Sequence, residues 1–174
     1  TGSQMIVIEG KNSATVQNST LIASGKGNRN DVDNCGIMIY QSMSGDAGEG
    51  TGTLTAKNSS LSIDSNSIYY KTAPFFFITN TDAVIKLEEC DLDFGSGILL
   101  SAKGTSEWGK SGSNGGIIKF NAVKQELVGN IELDELSELE LNLSSNSSYE
   151  GAIISDNTAK NVVLTLDSSS KITL

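Results

Sequence analysis

At 174 residues the chain is long enough for one domain with a sizeable core. A single proline, eighteen glycines and few aromatic residues speak for short strands and many turns rather than a helical bundle. The net charge of −9, with no histidine and only Arg29 as arginine, would repel a polyanion and argues against DNA or RNA as a partner. No apolar run is long enough to span a bilayer.

The chain opens on MIVIEG (residues 5–10), then a short polar corner, then ATVQNSTL (14–21). The octapeptide returns as LTAKNSSL (54–61) and, more loosely, as IKLEECDL (85–92). In each copy the first, third and eighth positions are apolar: Ala14, Val16, Leu21; Leu54, Ala56, Leu61; Ile85, Leu87, Leu92. Period-two alternation reads as a half-buried strand, and the polar break reads as a corner leading to a second short strand. A unit of this kind cannot bury its own apolar face, so its copies must stack.

Taken in order, GIMIY (36–40) opens the second unit after a glycine-rich insertion, and QSMSGDAGEGTG (41–52) interrupts it. FFFITNTDAVIKLEECDLDF (75–94) is the compact third unit; it aligns without gaps on the first, Met5 on Phe76 and Leu21 on Leu92. ILLSA (98–102) opens the fourth, which carries the longest insertion, KGTSEWGKSGSNGG (103–116), before IIKFNAVKQELVG. LELNLSSNSSYEG then matches VVLTLDSSSKITL at a spacing of 23. With Val16, Ala56, Leu87, Phe120, Leu141 and Leu164 taken as equivalent, two steps are close to one bare coil and the longer ones hold the insertions. NIELDELSELELNL (130–143) also fits helical spacing, but its match to VVLTL favours strand. The expectation is an all-β chain, a parallel β-helix (β-solenoid) of about six coils with corner insertions, residues 1–174 forming one domain. Both ends read as strand, so the chain is expected to be a fragment of a longer surface protein.

Stacking makes specific claims. Val16, Ala56 and Leu87 should form one inward ladder and Leu21, Leu61 and Leu92 another. Asn18 should sit over Asn58 in an amide ladder. Outside, Lys57 should meet Glu88 in an exposed pair worth under about 1 kcal/mol. Cys35 and Cys90 are too few for a disulfide framework and are expected to be free thiols.

The phrases VIEGKNSATVQNSTL, IMIYQSMSGDA, FFFITNTDAVIKLEE, GSNGG and KQELVGNIELDELSELELNL resemble right-handed parallel β-helix proteins of the pectate-lyase-like type. They look more closely like a group of secreted or surface-displayed β-helix proteins of gut bacteria. That resemblance implies a right-handed winding, a secreted or cell-surface location and an adhesin-like or carbohydrate-binding role. The fold by itself hosts lyases, hydrolases, tailspikes and adhesins alike.

For catalysis, NTDA (80–83) is similar to the NTD motif of polygalacturonase-like hydrolases, but the companion Asp-Asp pair, histidine and Arg-x-Lys are missing, so it reads as a turn. Asp91 and Asp93 read as a solvated outer face. No enzyme is expected. A polysaccharide lyase or hydrolase is the alternative, and a passive spacer a further one. No cofactor is expected. If calcium binds, Asp31 and Asp33 in NDVDNCG would hold it, although the EF-hand template fails at Cys35 and Ser42. Glu132, Asp134, Glu138 and Glu140 could gather a cation, with a solubilising acidic face as the plainer reading.

The binding candidates lie in the insertions. Those at 41–52 and 103–116 both follow the first strand of their unit and should leave the same edge about 10 Å apart, two rungs of a stack. They carry Trp108, Glu107, Lys110, Met43, Asp46 and Glu49, a set suited to stacking on a sugar ring or anchoring a protein. The alternative for Trp108 is to fold back and cover the side of the stack. Tyr69 and Tyr70, on another corner, cannot easily both be buried; one is a contact residue or a loop packer. The expected partner is a host glycan or a host protein such as immunoglobulin, met without catalysis or membrane insertion.

Overall fold

The computed structural model describes residues 4–24, 34–154 and 159–174. They are all-β, built from eighteen strands. The strands come in consecutive triplets: β1 (Ile6–Glu9), β2 (Ser13–Gln17), β3 (Thr20–Ala23); β4 (Ile37–Tyr40), β5 (Gly52–Lys57), β6 (Ser60–Ile63); β7 (Phe76–Thr79), β8 (Thr81–Glu88), β9 (Asp91–Asp93); β10 (Ile98–Ala102), β11 (Gly116–Val123), β12 (Glu126–Val128); β13 (Asn130–Leu133), β14 (Glu138–Ser144), β15 (Ser148–Glu150); β16 (Ile153–Ile154), β17 (Asn161–Leu166), β18 (Lys171–Thr173). The passage that also fitted a helix is therefore strand, as β13 and β14.

Every sheet collects each third strand. The first runs β1-β4-β7-β10-β13-β16 and the second β17-β14-β11-β8-β5-β2, while the third position is split into β3-β6-β9 and β12-β15-β18. All pairings are parallel. This arrangement is compatible with a β-solenoid.

The predicted ladders are present. Val16 pairs with Ala56 and Ala56 with Leu87; Leu21 pairs with Leu61 and Leu61 with Leu92. Asn58 Nδ2 donates to Asn18 Oδ1 at 3.3 Å, and Lys57 Nζ lies 2.7 Å from Glu88 Oε1. Inward residues of the middle triplets are sealed: Leu54, Ile85 and Leu141 are fully buried, each contributing on the order of 1.5–3 kcal/mol.

Two parts of the sequence alignment are corrected. Leu87 lies beside Ala122, and Phe120 lies beside Ile85, so Phe120, Leu141 and Leu164 belong to the neighbouring inward column. The bulk of Phe120 is accommodated by meeting Phe76 edge-on, centroids 5.6 Å apart. The gapless match of Met5 to Phe76 also fails: Ile6 pairs with Ile37, and Ile37 with Phe76. Between these paired columns the chain takes one residue fewer from Ile6 to Ala14 than from Phe76 to Ile85. Since one residue of slip turns a strand over, Val7 is 52% exposed while Ile8 is buried.

The repeated corners have one backbone device. Asn18, Asn58, Glu89 and Lys124 all adopt left-handed φ, between 49° and 51°. Asn tolerates this region, whereas Glu and Lys do so at some cost in strain. After this residue, the backbone N–H reaches a side-chain acceptor one triplet on. Ser19 N donates to Ser59 Oγ at 3.1 Å, Cys90 N to Gln125 Oε1 at 2.8 Å, Gln125 N to Ser147 Oγ at 3.1 Å and Ser147 N to Ser170 Oγ at 3.2 Å. Cys90 thus occupies the position that Ser59 holds one triplet earlier, and both cysteines are free and buried.

Candidate ligand-binding site

The site begins with a departure from strict alternation. GIMIY and FFFIT are apolar at consecutive positions, so a strand made from them must place apolar side chains on both faces. Ile37 and Ile39, Phe76 and Ile78 point inward; Met38 and Phe77, paired with each other, point outward. Both are nonetheless buried, because they form a second, outer cluster with Cys35, against which Tyr40 and Trp108 pack. The outward column continues from Phe77 to Ser101 and Glu132.

Trp108 is half-buried, and its ring meets that of Tyr40 edge-on at 5.1 Å. Tyr40 in turn donates its hydroxyl to Glu9 Oε2 at 3.1 Å, and Glu9 also accepts from the backbone and hydroxyl of Ser42. Asn114 Nδ2 braces the loop by donating to the carbonyls of Thr105 and Trp108 at 2.7 and 2.6 Å. The two long loops meet through Asn80, whose Nδ2 donates to Gln41 O at 2.6 Å and whose N–H donates to Asn114 O at 2.9 Å. Gly109, at φ +74°, rests on the Asn80 amide so closely that a Cβ there would collide with it. The two insertions do emerge together, joined by this corner.

On the other side of Phe77 lies the connector between β6 and β7. Between it and the first sheet is a groove of about 330 Å³ lined by Tyr69, Pro74, Phe77, Ser101, Lys103 and Glu132 among others. Lys103 Nζ stands 5.4 Å from the Phe77 ring centroid. The groove offers an apolar floor, an ammonium, a carboxylate and hydroxyls, the mixture that small polar ligands require.

The predicted residues divide around this place. Trp108 and Tyr69 flank the outer face of the first sheet. Tyr70 turns away, donating its hydroxyl to Asp93 Oδ1 at 3.1 Å, with its ring over Gly95. That bond holds the phenol protonated to higher pH than usual. Both tyrosines are half-buried. Glu107 and Lys110 are exposed on the Trp108 loop, and Met43, Asp46 and Glu49 are exposed on the neighbouring one. Asp31 and Asp33 lie outside the described residues.

The four acids weighed as a cation cluster, with an acidic face as the plainer reading, are dispersed into separate tasks. Glu132 lines the groove; Asp134 caps its turn by accepting from Gly104 N, Leu136 N and Ser137 Oγ; Glu138 meets Lys160 at 2.6 Å and Glu140 meets Lys119 at 2.9 Å. Bonds from Asn142 and Lys119 lower the pKa of Glu140. Among the described residues no group of three or more metal-ligating side chains is placed to hold an ion. The NTD string splits: Asn80 is the left-handed corner, and Thr81 and Asp82 already belong to β8.

Sequence reasoning missed Phe77, Ser101 and Lys103, and named Glu132 only as a cation candidate. The signal was there in the run of three phenylalanines, because a triple apolar run in a strand must put one ring outside.

No protein-family model matches the chain, and no curated protein or solved structure matches it either.

Proposed function

We propose that the chain winds as a right-handed β-solenoid of six coils and acts as a non-catalytic binding module of a secreted or surface-displayed bacterial protein. Its ligand is a glycan, taken in the groove on the outer face of the first sheet. The observation that carries this reading is convergence. The Trp108 loop and the Tyr69 connector come from different places in the sequence, yet both reach Phe77: Trp108 packs on the outer cluster that holds this ring, and Tyr69 lines the groove that the ring also lines. An aromatic wall beside hydroxyls, an ammonium and a carboxylate suits a sugar, whose faces are apolar and whose rim is polar.

Only one carboxylate, Glu132, lines the groove among the described residues, whereas glycoside hydrolysis ordinarily takes a pair. This favours binding over hydrolysis. A host protein, immunoglobulin included, is the second reading. It is favoured by Met43, an exposed, adaptable side chain on the adjoining loop.

The test is a glycan array run beside a pull-down from serum and mucus, with the intact chain, Ser101→Trp to fill the groove, and a version shortened across residues 104–113. A glycan reader loses its array signal with Ser101→Trp. A protein reader keeps its partner with Ser101→Trp and loses it with the shortened loop. Signals untouched by both changes would put the binding surface elsewhere and overturn the groove, and no signal at all would leave only a spacer.

A further inference from the structure

The sheets run in the order of the triplets, so β2 and β3 form one outer edge and β17 and β18 the opposite one. Both edges leave inward side chains uncovered. Leu164 and Leu166 are 37% and 40% exposed, whereas their ladder neighbours Leu141 and Leu143 are buried. Ala14 and Val16 on β2 are likewise only partly covered, beside the fully buried Leu54 and Ala56.

The main-chain groups of the two edges are complementary. Asn12 O accepts from Thr53 N, and Asn18 N donates to Lys57 O. Alternate residues of a strand turn their N–H and C=O to the same side, so Ala14 and Val16 face β5, while Ser13, Thr15 and Gln17 face outward. Asp167 N donates to Leu143 O, which leaves the groups of Val162, Leu164 and Leu166 facing outward on β17. The third side follows the same rule. Lys171 N donates to Ser147 O, so Ile172 faces outward on β18; Ser60 N donates to Ser19 O, so Thr20 and Ile22 face outward on β3. With Leu164 set opposite Ala14, the outward groups of β17 meet those of β2 in the same relation that joins Ala14 to Thr53 and Thr55. The same placement brings Ile172 opposite Leu21.

The side chains agree with that register. One inward column runs Val16, Ala56, Leu87, Ala122, Leu143 and Leu166, largely small beside large. Leu166 on Val16 and Leu164 on Ala14 prolong this alternation. A two-fold contact of β17 with itself would set leucine on leucine and leave β2 bare. On the outer face the new neighbours are Val163 on Ser13, Thr165 on Thr15 and Asp167 on Gln17, with no like charges opposed. Ser19 supplies a further match. Its hydroxyl donates to Gln17 O as that of Ser59 does to Lys57 O, and Ser59 Oγ also accepts from Ser19 N. Among the described residues nothing donates to Ser19 Oγ, and Ser170 N of a neighbouring copy comes from the matching corner position.

We propose that the occupant of each edge is a second copy of this chain, the β17–β18 edge of one copy pairing in parallel with the β2–β3 edge of the next. The interface continues the ladders that already join successive triplets. Because it is heterologous, it does not close at two copies, and it grows into linear chains. It rests on register alone and is independent of the groove beside Trp108.

Sedimentation equilibrium on the intact chain tests this over a wide range of concentration. The weight-average mass should rise from 18.3 kDa past that of a dimer. Added salt should lengthen the chains, since each copy carries a net charge of −9. Thr15→Pro removes an outward N–H that takes no part in the β2–β5 pairing, and Leu164→Lys places an ammonium on the opposite edge. Each variant alone should stay monomeric, with its circular dichroism spectrum unchanged. Mixed, they should form a dimer and stop there, because Thr15→Pro keeps an intact β17 and Leu164→Lys an intact β2. Dimers that persist in Thr15→Pro alone would mean two-fold pairing and overturn the proposal, as would a folded pair of variants that stays monomeric on mixing. A monomer at every concentration of the unaltered chain would overturn it whether or not either variant folds.

Discussion

Trp108 meets Tyr40 edge-on at 5.1 Å, and through that ring it is tied to Glu9, a residue almost a hundred positions earlier in the chain. The contact fixes the long loop before β11 against the outer face of the first sheet. A loop of this length would be free to wander if it were anchored only at its ends. The ring contact, the Asn114 braces and the Asn80 bridge together hold it in one place.

Asn80 is the residue to remove if the loops are to be uncoupled. Asn80→Ala deletes the bond to Gln41 O and puts a less suitable residue at φ 53°. The expected cost is about 1–3 kcal/mol, measured by urea unfolding. Tryptophan emission should shift to the red as Trp108 leaves Tyr40. An unshifted spectrum would show that the ring contact holds the loop unaided.

Two leucines of one inward column should respond differently to the same truncation. Leu141 and Leu164 are paired neighbours, but Leu141 is fully buried and Leu164 is 37% exposed on the last strand of its sheet. Leu141→Ala should cost about 2–5 kcal/mol, and Leu164→Ala clearly less, because little cavity is enclosed there. Comparable midpoint shifts in thermal melts would mean that the edge of the sheet is covered in solution.

Gln125 replaces a strand pairing with a side chain. It is buried and its amide serves Cys90 N, Cys90 O and Glu126 O. Gln125→Ala leaves those groups unpaired and should destabilise by about 2–4 kcal/mol, with the loss concentrated in faster hydrogen exchange at Cys90. Slow exchange at Cys90 in the variant would show that another group has taken over.

Burial pushes the Tyr149 phenol up to about 12. Below the ordinary tyrosine range both folded and unfolded chains keep the proton, and stability does not depend on this group. Above it the unfolded chain ionises first, so stability falls with rising pH through about pH 10 to 12. Tyr149→Phe should lack this part of the alkaline decline, although it also loses the hydroxyl bond to Ala152 O. Thermal melts of both proteins between pH 8 and 12 provide the check; parallel curves would assign the decline elsewhere.

The apolar alternation, the repeated octapeptide and the spacing of its copies were enough to determine strands, parallel stacking and the ladders through Val16 and Leu21, because period-two burial leaves few other ways to hide those side chains. The Asn18–Asn58 and Lys57–Glu88 contacts were legible for the same reason: they follow from register alone. Register itself was less secure. The one-residue slip in the first strand and the two-residue shift at Phe120 depend on corner lengths, and corners with Ser, Asn and Gly read much alike when their lengths differ by a residue. The outer cluster was decided only in three dimensions. Met38, Phe77, Tyr40 and Trp108 are scattered through the sequence, and what joins them is a long loop folding back over one sheet. The gap between β9 and β12 lies still further from sequence reading, since it arises where a glutamine amide stands in for a strand and the ladder on that side stops.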